Sequence, residues 1–310
     1  MALFKRKGHR AGQIGGVRPE MVRQAVMGEL AKRGRDGRIT TEEGHDYVVF
    51  SGDQFYSLNR LYATAAQTTP KDLAEMIERW VDSTLAVIDL PDPAEMDAAE
   101  LRQRIRTRLI SSMYGGLEPY PYARRPFSLV GQILCLDYSE ALLRLTEDSV
   151  DNLALPLDEL FAQGQANTDA EPFDQHVALD DSGQIWEITG ESVFIASKAA
   201  NLAALVPAVT GPAPFGLAFA IPRSNTLVYQ IIRDGWAIAL NQFAQLTWAM
   251  GKRSAEEGDW VCPYAFYYAP DGIVELLSLP PQDPSSDKIR LNIDGAIAEH
   301  VVNHPAGPRP

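Results

Sequence analysis

Hydrophobic spacing switches between helical and strand periods many times along this chain, and the order of the switches runs through twice. Each pass reads helix, three short strands, helix, two strands, helix. Strands that follow one another directly predict antiparallel sheets with helices packed on one face. A doubly wound parallel sheet would need strict strand–helix alternation, because parallel neighbours need a crossover. The expectation is an α+β fold of two tandem αβββαββα-like modules. A basic tail covers 1–17, the first module 18–153 and the second 154–279. Residues 280–310 read as a linker, a short helix and a Pro-rich tail.

Local signals carry this reading. Pro19 suits a first helical position, and Met21, Val22, Ala25, Val26 and Leu30 share a face that Gly34 can terminate. Strands are expected at 38–41, 46–50 and 54–58. Thr69 can cap a helix opened by Pro70, with Leu73, Met76, Ile77, Trp80, Val81 and Ile88 at helical spacing. An inserted helix is predicted at 94–113, because Leu101, Ile105 and Leu109 lie four apart. Strands follow at 129–137 and 141–145, and a helix at 156–165. The second pass places strands at 175–179, 184–188 and 193–195, a helix from Ser197, a hairpin at 215–231, a helix from Asp234, and a hairpin at 261–277 around Asp271-Gly272.

Composition bounds the function. With 45% hydrophobic and 22% charged residues the chain can bury a globular core. A net charge of −13 disfavours nucleic acid as a partner. No apolar run approaches the roughly 20 residues of a membrane span, and the basic start lacks the apolar region of a secretory signal; a cytoplasmic protein that does not engage the membrane is expected. Cys135 and Cys262 are far apart and read as buried thiols.

No motif of catalytic specificity appears. Gly12, Gly15 and Gly16 match neither phosphate-loop pattern. His300 and His304 are four apart, but Val301 stands where a metalloprotease helix needs Glu. His45-Asp46 and His176 lack a nucleophile positioned beside them. No metal site and no cofactor are expected. On a helix, Arg102, Arg104, Arg106 and Arg108 would flank the Leu101–Ile105–Leu109 stripe, and with Arg124 and Arg125 they are the best candidates for gripping an anion; pairing with nearby carboxylates is the plainer account. Tyr264, Phe266 and Tyr268 should share one strand face, with Ala265 and Tyr267 on the other. Such a face serves either an interface or a helix layer.

Four segments resemble a bacterial family of unknown function, the YtpQ-like proteins: LNRLYATAAQTTPKDLAEMIERWV at 58–81; RRPFSLVGQILCLDYSEALLRLTEDSVDNLALPLDELFAQGQAN at 124–167; FIASKAANLAAL followed by GLAFAIPRSNTLVYQ; and CPYAFYYAPDGIVEL. The resemblance spans 18–278 and implies no catalytic residues. The element order also looks like the sandwich of type III secretion chaperones, which implies a polypeptide partner. The expected function is therefore non-enzymatic binding of a protein or peptide, through Asn59, Tyr62, Arg124, Arg125, Pro222, Arg223 and Tyr264. Two alternatives stand beside it: a small-molecule or nucleotide enzyme built on the arginine clamp, and an immunity-type protein masking a basic toxin. The oligomeric state is left open.

Overall fold

A computed structural model describes residues 17–42, 45–50, 55–66, 68–113, 116–138, 141–180, 183–256, 259–279 and 289–303. The α+β class holds, with antiparallel sheets throughout. The chain divides into two units at Asp89/Leu90, whereas the sequence reading placed the division at 153/154. The reason is packing: Leu109, Phe127 and Val130 enter the same core as Ile188, Phe219 and Phe266, which ties residues on both sides of 153 into one body.

The first unit holds α1 (Pro19–Lys32), β1 (Arg38–Glu42), β2 (His45–Val49), β3 (Phe55–Ser57), α2 (Asn59–Ala65) and α3 (Pro70–Ile88). Strands pair in the order β1-β2-β3. Val22, Val26 and Leu30 of α1 pack with Leu73, Ile77, Val81 and Leu85 of α3, the stripes that the spacing predicts. Thr69 caps α3 by accepting from the Asp72 N–H at 3.4 Å. The short helix α2 was not expected; its seven residues are too few to show a helical period.

The second unit opens with a 3-10 turn (Pro93–Glu95), α4 (Ala98–Arg104) and β4 (Ile105–Ser111). The predicted 94–113 helix is thus corrected to a short helix and a strand. Ile105, Thr107 and Leu109 alternate inward against Arg106 and Arg108, a period of two that the four-residue spacing of Leu101, Ile105 and Leu109 masks. After β4 come β5 (Arg124–Phe127), β6 (Val130–Tyr138), β7 (Ala141–Arg144), α5 (Glu147–Asp151) and α6 (Leu157–Ala170). In this sheet β6 is central, with β4 on one side and β5 and β7 on the other.

The main sheet follows. It contains β8 (Gln175–Ala178), β9 (Ile185–Thr189), β10 (Leu217–Arg223), β11 (Thr226–Ile231), β12 (Ala265–Tyr268) and β13 (Val274–Leu276). Their order is β13-β12-β10-β11-β9-β8, all antiparallel. Between β9 and β10 lie a 3-10 segment (Ile195–Asn201) and α7 (Leu202–Val209); α8 (Trp236–Glu256) joins β11 to β12. The strand expected at 193–195 is instead the entry to the 3-10 segment: Phe194, Ile195 and Ala196 are all buried in succession, which no strand with one solvent face permits. A small ladder, β14 (Ser278–Leu279) with β15 (Arg290–Leu291), and a π-helical turn (Ala298–Val302) end the described chain.

Alternation in β10 and β12 sets the two faces of this sheet. Leu217, Phe219, Ile221, Tyr264, Phe266 and Tyr268 point to the core shared with α7 and β5. Ala218, Ala220, Ala265 and Tyr267 lie under α8, against Trp236, Leu240 and Phe243. The alanines let the long helix approach closely. Gly251 keeps the approach where α8 meets the chain before β12, since a Cβ there would sit 2.5 Å from Pro263 Cα. Among the described residues no helix is long and apolar enough to cross a membrane.

Candidate functional site

Edge strands expose unpaired N–H and C=O groups, and folds normally cover them. This protein covers one edge with unusual completeness. In β4 the backbone groups of Ile105, Thr107 and Leu109 face the sheet edge, while their side chains point into the core. The Thr168 hydroxyl accepts from the Thr107 N–H at 3.0 Å and lies 3.1 Å from its carbonyl as donor. Ser197 Oγ accepts from the Leu109 N–H at 2.9 Å. Asn167 Nδ2 donates to the carbonyls of Arg102 and Ile105, each at 2.8 Å. Behind these, Gln165 Oε1 accepts from Thr107 Oγ1 and Gln132 Nε2, and Lys198 Nζ donates to the Thr168 and Asp169 carbonyls at 3.1 and 2.6 Å. Lys198 is buried, and the loss of solvent lowers its pKa against the pull of Asp169 and Glu171. Gly164 permits the close approach of α6, because a Cβ there would lie 3.1 Å from the Arg106 backbone.

The opposite case is β8. It pairs with β9 on one side, through Leu179 N–H to Ile185 C=O at 2.8 Å and the register Val177↔Glu187. Alternation of the antiparallel ladder then turns the backbone groups of His176 and Ala178 to the outer edge. Among the described residues, no strand or side chain bonds that edge. Phe173, Val177 and Leu179 are all exposed, at 38–40%. Helix α8 covers β10 and β12 and reaches Ile185 of β9, while Glu187 and Thr189 farther along that face are only half-buried.

Beside this edge lies an open hollow of about 540 Å3. Asp174, Glu187 and Glu191 supply three carboxylates, against the single guanidinium of Arg223. Asp174 Oδ2 accepts from the Glu191 N–H at 2.7 Å, and Asn225 Nδ2 holds the Gly190 carbonyl at 3.0 Å, which fixes the rim. Burial raises the Glu187 pKa, opposed by Arg223. On the other face of β8, His176 Nε2 meets Tyr229 Oη at 2.7 Å beside Trp186. Desolvation lowers the His176 pKa.

The sequence-predicted residues scatter. Tyr62 belongs to a closed polar knot of the first unit: its hydroxyl donates to Asp46 at 2.6 Å, Arg23 Nε donates to both, and Thr41 donates to Asp46 at 2.7 Å. Asp46 is buried, and these donors, Tyr62 first, hold its carboxyl below the usual range. Asn59 opens α2, but its side chain lies outside the described residues. Arg124 pairs with Asp158 at 2.5 Å and stacks over Phe161, while Arg125 is exposed on β5. Tyr264 is a correction: it is buried against Trp248, ring centroids 5.5 Å apart, and offers no surface. Pro222 is likewise buried in β10, with its carbonyl taken by the Val261 N–H. Arg223 alone reaches the hollow.

The arginine clamp does not assemble. Arg102 pairs with Glu159, Arg104 with Glu100, and Arg106 with Glu171 and Asp137. Each of these three guanidiniums is engaged by a carboxylate of its own fold. Both cysteines are buried, which pushes their thiols up to about 11 for Cys135 and about 12 for Cys262, far from nucleophilic character. Among the described residues no group of three or more His, Cys, Asp or Glu could hold a metal ion. His300 instead meets Asp271 at 3.2 Å, and His304 lies outside the described residues.

Sequence reasoning missed Asp174, Gln175, Glu187 and Glu191. They stand in and around short strands, and only the sheet register gathers them. No family model, curated protein or solved structure matches the chain.

Proposed function

We propose that this protein binds an extended segment of a partner polypeptide, which adds as a seventh strand beside β8. The observation that carries this reading is the uncovered β8 edge in a fold that closes its β4 edge with three side chains. Strand addition draws affinity from main-chain hydrogen bonds and specificity from pockets for alternate side chains. Here the backbone of His176 and Ala178 supplies the bonds, and Phe173, Val177 and Leu179 supply apolar contact. The carboxylates of Asp174, Glu187 and Glu191 favour a partner segment that carries Lys or Arg. The protein's net charge of −13 steers the same partners.

The test is a displayed library of random ten-residue peptides selected on the intact protein and on Ala178→Pro. Proline removes the outward N–H of residue 178 without touching the β9 ladder. Selected peptides should alternate apolar residues and carry Lys or Arg, and should lose at least about tenfold in affinity for the variant, the equivalent of one or two hydrogen bonds. Peptides that bind Ala178→Pro as tightly as the parent protein would overturn strand addition. Acidic or charge-indifferent peptides would overturn the role of the hollow.

A further inference from the structure

A second open hollow, of about 490 Å3, lies where α7 and the loop after it meet the end of β12. Val206 and Pro207 of α7, Pro212 of the loop, and Tyr268 and Pro270 line it. Tyr268 packs against the core that holds Val206, so the hollow belongs to the α7 face of the main sheet. Among the described residues no charged side chain lines it. Gly216 keeps its floor low, since a Cβ there would lie 2.2 Å from the Tyr268 carbonyl.

The described chain comes to its last residues close by. Ala296, Ile297 and Val301 join the core under α8, on the opposite face of the sheet. His300 Nε2 meets Asp271 Oδ2 at 3.2 Å, and Asp271 follows Pro270 of the hollow directly. The Asn303 N–H closes the turn on the Ala298 carbonyl at 2.8 Å, and both Val302 and Asn303 are exposed. Residues 304–310, which lie outside the described residues, read HPAGPRP, and three of these seven are proline. Proline fixes φ and favours the polyproline II form, so such a segment loses little entropy on docking. At about 3.1 Å per residue, seven residues span about 20 Å. That length rounds the turn at Pro270-Asp271 and crosses the hollow. Aromatic-lined apolar grooves take proline-rich segments in this way. Here the groove offers a tyrosine and three proline rings to a segment that has prolines and Ala306 to bury.

We infer that residues 304–310 dock in this hollow, so that the chain occupies its own proline-binding groove. The groove shares no residue with the β8 edge or the acidic hollow beside it.

The test is paramagnetic relaxation by NMR in the full-length protein. Arg309→Cys supplies a thiol for a nitroxide label, and the two native cysteines are buried and do not compete. The amides of Gly211 and Ala213, on the wall away from Asp271, should lose most of their intensity. Ala203→Glu, at an exposed position of α7 on the same wall, sets a carboxylate among the apolar groups and should restore them. Replacing Pro305, Pro308 and Pro310 together by Ala should do the same. The remaining amide resonances should stay in place in both variants, which separates lost docking from lost folding. Full intensity at Gly211 and Ala213 in the labelled parent would overturn the inference. So would broadening that both variants leave in place, the mark of a chain that passes without docking. Broadening seen only when labelled protein is mixed with unlabelled, isotope-enriched protein would assign the groove to a second copy and overturn it as well.

Discussion

Two edge strands of the second unit, β4 and β8, receive opposite treatment. At β4, Thr168, Ser197 and Asn167 bond the outward backbone groups, and Lys198 anchors the last turn of α6 that presents two of them. At β8 no described residue bonds the outward groups of His176 and Ala178, and apolar side chains flank them. Both edges come from the same chain and meet the same solvent. Among the described residues, side chains close the first edge and none bonds the second. The same contrast separates Asp46, surrounded by three donors, from Glu187, which burial penalises in a hollow that holds two further carboxylates.

Proline scanning tests the contrast most severely. Thr107→Pro removes an N–H bonded to Thr168 at a fully buried residue and should cost about 3 kcal/mol or more. Ala178→Pro should cost less than about 1 kcal/mol, because its N–H bonds no described residue. Urea unfolding followed by tryptophan fluorescence measures both. Similar losses in the two variants would mean that β8 is covered after all.

Thr168→Val is a gentler probe of the same seam. It is nearly isosteric but leaves the Thr107 N–H and C=O buried without their partner, so a loss of about 1–3 kcal/mol in the urea experiment is expected. A change below about 0.5 kcal/mol would show that the hydroxyl does not hold the edge.

The two carboxylates should differ in sign. The folded state holds the Asp46 pKa below its unfolded value. Its contribution to stability is therefore present above about pH 4 and is lost as pH falls through the folded value. Asp46→Asn should lower stability at pH 7 and make acid unfolding of the first unit less steep. The Glu187 pKa is raised instead, so stability falls as pH rises from the unfolded value through the folded one. Glu187→Gln should raise stability at pH 7 by about 0–1 kcal/mol, a small figure because the side chain is only half-buried. Circular dichroism across pH 2–8 separates the two, and a stabilising Asp46→Asn or a destabilising Glu187→Gln would remove the distinction.

Much of the architecture was legible in the residues. Pro19, Thr69-Pro70 and the apolar stripes of α1 and α3 specify those helices locally. Alternation in β12 placed Phe266 and Tyr268 on one face and Tyr267 on the other, as the two cores show. The arginine stretch at 102–108 misled because two periods coincide there: Leu101, Ile105 and Leu109 satisfy a spacing of four, while the strand uses every second residue.

The site was less legible, for a different reason. A carboxylate inside a short strand, such as Glu187, is a signal in principle, but sequence does not say which residues the sheet register sets beside it. By itself the sequence determined the antiparallel α+β class, the helix caps and the inward faces, since these depend on neighbours a few residues apart. Only the tertiary structure decided where the chain divides and which of the two strand edges the described residues leave open. Those outcomes depend on contacts between residues well separated in the sequence, such as Thr107 with Thr168 and Asp174 with Glu191.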